Sequence, residues 1–326
     1  MPPTIRRIPR TALPAAALLA VTLLSGCGHS GTSAASGTSG TSGTSGTSGS
    51  TNAAAPTATA TATVAATTDE SFKGLEQQFG ARLGVYALDT GSGREVSYRA
   101  DERFAFASTI KSLATGALLR KASDEQLDKV VAYRQEDVLA WAPITSQHVA
   151  TGMKVRDLAA AAIQYSDNTA ANLVTAELGG PAAVQQSLRE LGDTTTSVDR
   201  TEPTLNEATP GDTRDTSTPR AFAADLRRYA LGDTLTEDRR RLLTDWLAGN
   251  TTGAPYIRAG VPSDWKIGDK TGNGGYGTRN DVALAWPAGG RSPIVIVVLS
   301  DRGKAGATSD DALIARATKA VVGTLG

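Results

Sequence analysis

The sequence is short of the residues that several kinds of chemistry require: one cysteine, two histidines, two methionines and 5% aromatics in 326 residues. A single thiol, Cys27, excludes an intramolecular disulfide. His29 and His148 stand far apart and belong to no H-x-x-x-H or comparable ligand set, which removes support for metal hydrolysis. An excess of one charge is missing too, since 33 Lys and Arg face 33 Asp and Glu. Nucleic acid would require a concentrated basic stripe. The densest basic run, "DRRRLL" from Asp238, reads instead as the solvated face of a helix. No G-x-x-x-x-G-K loop occurs, so a nucleotide site has no support and no cofactor is implied. The chain also lacks an apolar run of the roughly 20 residues that a membrane-spanning helix needs.

The nearest approach to such a run is at the amino end. Arg6, Arg7 and Arg10 precede an apolar stretch from Thr11 to Leu24, and the small residues "SGC" follow. This is the pattern of a cleaved export signal. From Gly28 to about Thr68 the chain is Gly, Ser, Thr, Ala and occasional Pro, including "GTSGTSGTSGS", which cannot bury a core. A flexible coil of about 40 residues has an end-to-end distance of roughly 35 Å, a fitting tether. Loss of the signal leaves 30 basic residues against 33 acidic ones, or −3.

The folded part is expected from about Asp69 to Gly326, long enough for a sizeable core. "DESFKGLEQQF" places Phe72, Leu75 and Phe79 at helical spacing, with Gly80 as a stop. "ARLGVYALDT" and "EVSYRA" alternate as a hairpin around "GSGR". From Ser108 the pattern is helical for about 140 residues, rich in Ala and Leu. Strands return with "DWKIGDKTG", "RNDVALAWP" and "SPIVIVVLS", the last apolar on both faces and therefore central. A final helix follows, with Ser309 as cap, two acids in its first turn and Lys319 near its end. The simplest packing is one antiparallel sheet made by both ends of the folded region, covered by the terminal helices, with a helical domain inserted between them. A cleft is expected where the halves meet.

Three short patterns fall at the borders of these elements. In "FAFASTIKS", Ser108 and Lys111 are i and i+3, so a helix brings amine and hydroxyl to one face, and apolar neighbours Phe104, Phe106, Ile110 and Leu113 would lower the amine's pKa. The structural alternative is a capping serine and a surface lysine. "YSDN", Tyr165 to Asn168, stands between two helical runs, where an Asp or Asn cap is the alternative. In "DKTGNGG", Lys270 and Thr271 offer a cation and a hydroxyl beside glycines, suited to a substrate carboxylate; the alternative is a turn.

Taken together and in this order, Ser-x-x-Lys, Ser-Asp-Asn and Lys-Thr-Gly resemble the serine penicillin-recognising enzymes, the class A β-lactamases and the penicillin-binding transpeptidases and carboxypeptidases. A fourth pattern, Glu202, Pro203, Leu205 and Asn206, resembles the E-P-x-L-N omega loop of class A β-lactamases. The resemblance implies an α+β fold with a five-stranded antiparallel sheet flanked by helices and an inserted all-helical domain. Its α/β part would cover about residues 69–105 and 250–326, and its helical part about 106–249. It also implies hydrolysis of penicillins and cephalosporins, and so antibiotic resistance. Ser108 would attack the β-lactam carbonyl, its proton passing to Lys111 or through water to Glu202. Ser166 would relay a proton to the departing ring nitrogen. Glu202 and Asn206 would prime the water that frees the acyl-enzyme. Asn168 would steady Lys111 and the substrate amide, while Lys270, Thr271 and Gly272 hold the carboxylate side. Backbone N–H groups of Ser108 and Asn273 would form the oxyanion hole. Trp141 matches an aromatic gatekeeper at the cleft mouth, with a buried core tryptophan as the other reading. Arg258 could draw a second cation toward the carboxylate or anchor the sheet.

The stretch "LLSGC" resembles the lipobox of bacterial lipoproteins, as in the actinobacterial forms of this family. It implies removal of residues 1–26, a lipid on Cys27 and attachment of a monomer to the outer face of the cell membrane. A cell-wall carboxypeptidase or transpeptidase, or a penicillin sensor that stays acylated, would share Ser108, Lys111, Ser166 and Lys270 but would have no use for Glu202 and Asn206.

Overall fold

A computed structural model describes residues 57–326, with side-chain surroundings from Thr68 onward. The export signal, Cys27 and most of the tether therefore lie outside the described residues. The first helix, α1 (Thr57–Phe79), begins inside the segment read as tether, where alanine alternates with threonine. It stops at Gly80, whose φ of +55° is the left-handed conformation that glycine adopts without strain.

The strands β1 (Arg82–Asp89) and β2 (Glu95–Tyr98) form the expected hairpin. After a short β3 (Phe104–Ala105) come α2 (Ile110–Lys121) and α3 (Asp124–Asp128), then the two-residue strands β4 (Val130–Val131) and β5 (Met153–Lys154), which pair with each other. The helical part continues with α4 (Val155–Gln164), α5 (Asn168–Leu178) and α6 (Pro181–Arg189), a loop ending at β6 (Thr216–Ser217), and α7 (Pro219–Ala230) and α8 (Glu237–Ala248). A one-turn α9 (Ile257–Gly260) leads to β7 (Lys266–Asn273), β8 (Arg279–Trp286), β9 (Ile294–Asp301) and α10 (Asp311–Leu325).

The five long strands make one antiparallel sheet in the order β2-β1-β9-β8-β7. Strand β9 is its centre, and the two-sided apolarity of "IVIVVL" has a direct reading. Ile294, Ile296 and Val298 join Phe72 of α1 and Leu313, Ile314 and Val321 of α10 in one core. Val295, Val297 and Leu299 point the other way, into a core shared with α2, α4 and α7. Side-chain alternation thus ties the sheet to two separate helical layers, as the sequence pattern predicts.

The final helix departs from expectation at both ends. Its cap is Asp310, whose carboxylate accepts the N–H of Ala312 at 2.9 Å, and only Asp311 stands in the first turn. Lys319 lies too far from Leu325 to meet the last carbonyls. Serine and aspartate cap about equally well by type, and the chain enters α10 with the aspartate at the capping position. Among the described residues no helix is long and apolar enough to cross a membrane.

Candidate active site

Ser108 lies in a single 3-10 turn, Ala107–Thr109, that opens α2. Ala107 has φ +49°, an uncommon conformation for a residue with a side chain, just ahead of the serine. Strand β7 packs against this turn because Gly272 has no Cβ: one placed there would sit 2.8 Å from the carbonyl oxygen of Phe106 and 2.9 Å from Thr109, contacts that only glycine avoids. Phe104 and Phe106 are fully or nearly fully buried beneath the turn. Ser108 is not a helix cap, since its hydroxyl donates to Glu202 Oε1 at 2.9 Å.

Lys111 follows one turn later and is 3% exposed. Its Nζ meets Glu202 Oε1 at 2.9 Å, Asn168 Oδ1 at 2.7 Å and the carbonyl oxygen of Ser166 at 2.8 Å, with Ser166 Oγ at 3.3 Å. Burial pulls its pKa below the ordinary lysine value, against the opposing pull of Glu202. Every one of these neighbours can accept, so the amine is surrounded as a donor and its surface reading is excluded.

Glu202 arrives from the loop between α6 and β6, and its side chain is as buried as that of Lys111. Oε1 serves both Ser108 and Lys111, while Oε2 accepts from Asn206 Nδ2. The contact with Ser108 is direct, where the sequence reading interposed a water between carboxylate and reaction centre. Asn172 of α5 clasps the backbone of Glu202 from behind: its Oδ1 accepts the Glu202 N–H at 2.9 Å and its Nδ2 donates to the Glu202 carbonyl at 2.8 Å. At the loop's neck, Arg200 Nε donates to buried Asp215 at 2.5 Å. These partners leave the loop little freedom to carry the carboxylate elsewhere.

Ser166 occupies the junction of α4 and α5 with φ +55°. The capping alternative holds at the same time, on its neighbour. Asp167 caps α5 through Ala170 N at 2.9 Å and ties down the backbone of Ile144 and Thr145 at 3.0 and 2.9 Å. Ser166 and Asn168 on either side of it are thereby turned toward Lys111. Lys270, fully buried on β7, donates to Ser166 Oγ at 2.9 Å and to the carbonyl of Thr271 at 2.8 Å. Burial, then repulsion from Lys111, pushes its pKa down to about 7.

Trp141 is 57% exposed, which excludes the core reading, and it is joined to the Ser166 junction by Nε1 donating to the carbonyl of Tyr165 at 3.1 Å. Arg258 turns from the cleft to Asp269, with Nε to Oδ1 at 2.6 Å, so its anchoring alternative holds. The side chain of Asn273 is held at the rim, where its Oδ1 accepts from Tyr256 Oη at 3.1 Å and Arg279 at 2.7 Å. Sequence reasoning missed Asn172 and Arg279. Asn172 lies four residues after Asn168, on the same helical face, a signal that was available; Arg279 is placed only by the β7–β8 register, opposite Asn273.

A serine hydroxyl bonded to a carboxylate, flanked by two buried lysines and a second serine, suits acyl transfer followed by hydrolysis. Residues 67–325 match the Beta-lactamase enzyme family. The chain belongs to the class A serine β-lactamases. It is 55% identical over 258 residues to a β-lactamase of Amycolatopsis lactamdurans, covering 79% of this chain and 85% of that one. With β-lactamase 3 of Bacillus cereus the identity is 52%, over 79% of this chain and 81% of the relative. Among solved structures, the β-lactamase of Streptomyces albus G superposes with TM-score 0.78 at 49% identity, over 80% of this chain and 100% of that one. A class A β-lactamase from Clostridium kluyveri gives 0.79 at 48% identity, over 80% and 99%. The enzyme accordingly hydrolyses β-lactam antibiotics.

Proposed function

We propose that Ser108 is the acylated nucleophile, that Glu202 takes its proton, and that penicillins and cephalosporins are the substrates. The observation carrying this is the direct 2.9 Å hydrogen bond from Ser108 to Glu202 Oε1. Lys111 has three acceptors within 2.9 Å, a complete set for an ammonium. A neutral amine would have to aim its lone pair at one of them. The arrangement therefore favours Glu202 as the base and Lys111 as the cation beside it, despite the burial that lowers the amine's pKa.

When the four-membered ring opens, the nitrogen leaves as an amide anion equivalent and needs a proton. Ser166 Oγ, between Lys270 at 2.9 Å and Lys111 at 3.3 Å, is the group that supplies it, with a lysine to replenish it. Lys270 and Thr271 hold the substrate carboxylate, Asn168 steadies Lys111 and the side-chain amide, and Trp141 covers the entrance. The backbone N–H groups of Ser108 and Asn273 receive the developing oxyanion. For deacylation, Glu202 and Asn206 must admit a water beside the ester. A cavity of about 20 Å³ behind Glu202, lined by Lys111, Asn172, Thr201 and Leu205 among others, is room for about one water.

The amino-terminal reading completes the proposal. Residues 1–26 are removed, Cys27 carries the lipid, and residues 27–68 tether a monomeric domain of residues 69–326 to the outer face of the membrane. The transpeptidase and sensor alternatives are disfavoured by the Glu202–Asn206 pair. In the deciding experiment, Glu202→Ala is mixed with a penicillin and its mass followed: the acyl group should persist on Ser108, whereas rapid turnover by the variant would refute the deacylation role.

A further inference from the structure

The turn between α8 and α9 carries a chain of hydrogen bonds that no step of the reaction uses. Asp269, fully buried on β7, accepts Asn250 Nδ2 at 2.6 Å. Asn250 Oδ1 faces both the backbone N–H of Thr252 at 3.1 Å and the Thr252 hydroxyl at 2.9 Å. Thr252 Oγ1 in turn lies 2.6 Å from Thr271 Oγ1. The turn is pressed hard onto the carboxylate, for a Cβ at Gly253 would fall 1.9 Å from Asp269 Oδ2. Arg258 fixes the other carboxylate oxygen at 2.6 Å.

The direction of every proton in this chain follows from its ends. A backbone N–H can only donate, so the atom of Asn250 that faces Thr252 is the amide oxygen, and the amide nitrogen faces Asp269. That oxygen has no proton to give, and Thr252 therefore donates its hydroxyl proton to it. With that proton committed, the 2.6 Å contact between the two threonines is a hydrogen bond only when Thr271 is the donor. In the free enzyme Thr271 thus turns its proton toward Thr252 and offers lone pairs on its remaining side.

We propose that Thr252 is a positioning residue that sets the hydroxyl polarity of Thr271 and so weakens the grip on a substrate carboxylate, an inference that rests on Thr271 holding that carboxylate. To donate to an anion, Thr271 must swing its proton away from Thr252. Thr252 must then turn its own proton to Thr271 and surrender its hydrogen bond to Asn250 Oδ1. One neutral hydrogen bond is lost in each binding event, worth about fivefold in affinity.

The test is steady-state kinetics on a penicillin with a free carboxylate. Thr252→Val, which keeps the shape and removes the relay, should lower KM about fivefold and leave kcat unchanged; Thr252→Ser, which keeps the hydroxyl, should retain the parent KM. Thr252→Ala removes the same hydroxyl with less bulk and should move KM in the same direction should the valine variant fold poorly. A parallel Thr271→Val variant separates the two readings. A raised KM there, with no fall in KM for Thr252→Val or Thr252→Ala, overturns the polarity relay while the carboxylate assignment stands. An unchanged KM in Thr271→Val removes the assignment and the relay with it.

Discussion

Of the places where this enzyme buries carboxyl groups, two do so by opposite means. Glu202, 3% exposed, meets an ammonium, a hydroxyl and an amide, so that its charge is matched by donors on both oxygens. Asp225 of α7, 2% exposed, faces another acid, Asp193, whose oxygens already accept the N–H groups of Thr195 and Thr196. Burial, then the charge of Asp193, pushes Asp225 up to about 9, so it keeps its proton at neutral pH. Hydrogen bonds from Thr196 and its neighbours hold Asp193 below the usual carboxylate range, against the upward effect of burial. The difference is one of partners rather than depth: a buried acid beside a lysine is a base in waiting, and a buried acid beside another acid is a structural hydrogen-bond donor.

The largest expected effect tests the first half of that contrast. Glu202→Gln keeps the shape and removes the proposed base, so turnover of a penicillin should fall by about 10²–10⁴-fold, read from initial rates. Asn172→Leu leaves Glu202 in place but deletes both bonds to its backbone, each worth about 1 kcal/mol net; kcat should fall about tenfold while the serine still acylates, as burst kinetics would reveal. Lys270 gives a pH test. With its pKa pushed down to about 7 in the free enzyme, the cation proposed to hold the substrate carboxylate is present below that pH and lost above it. The alkaline limb of kcat/KM should therefore fall through about pH 7, and Lys270→Arg, whose guanidinium stays charged, should move that limb upward.

The smallest effect belongs to the other acid pair. Asp225 has a folded pKa of about 9, against an ordinary value of 3.8. The folded state binds a proton that the unfolded chain releases, so this stabilisation is complete below about pH 4 and is lost progressively as the pH rises through about 9. Asp225→Asn supplies a permanent neutral donor. Its melting temperature should decline less than the parent's between about pH 5 and pH 9, by on the order of 10 °C, with penicillin turnover unaltered. Loss of activity in this variant would break the contrast, because it would tie the remote pair to the cleft.

Much of the fold was legible because it rests on local periodicity. The alternation in "RLGVYALD" and "IVIVVL" and the Ala- and Leu-rich helical stretches each reflect the face that a residue turns to a core, and the structure reproduces them as β1, β9 and the helices between. Terminal details were less so. Ser309 and Asp310 are both acceptable caps by type, and only the path of the chain into α10 selects the aspartate. At the site, the motifs named Ser108, Lys111, Ser166, Glu202 and Lys270, yet Ser108, Lys111, Ser166, Lys270, Trp141 and Arg258 each kept a bland alternative. Those alternatives were decided by burial and by partners: for Trp141 by its exposure, for Arg258 by Asp269, and for Lys111 by its ring of acceptors. The sequence marks Asn172 only by its place one turn after Asn168; that it clasps the backbone of Glu202, 30 residues away, is decided by the tertiary structure.

By itself, the sequence determined which side chains exist to do chemistry, and the helical rise that sets Lys111 one turn beyond Ser108. It also determined the alternation that lets one sheet bury two faces. Tertiary structure decided what those groups are to one another. Ser108 and Glu202 are 94 residues apart in the chain, and Lys270 is 104 residues beyond Ser166. Approach over such separations depends on the sheet and the inserted helices closing on a shared cleft. The protonation of each buried group follows from that closure, because proton affinity in a dry interior answers to whichever charge or donor lies within a few ångströms.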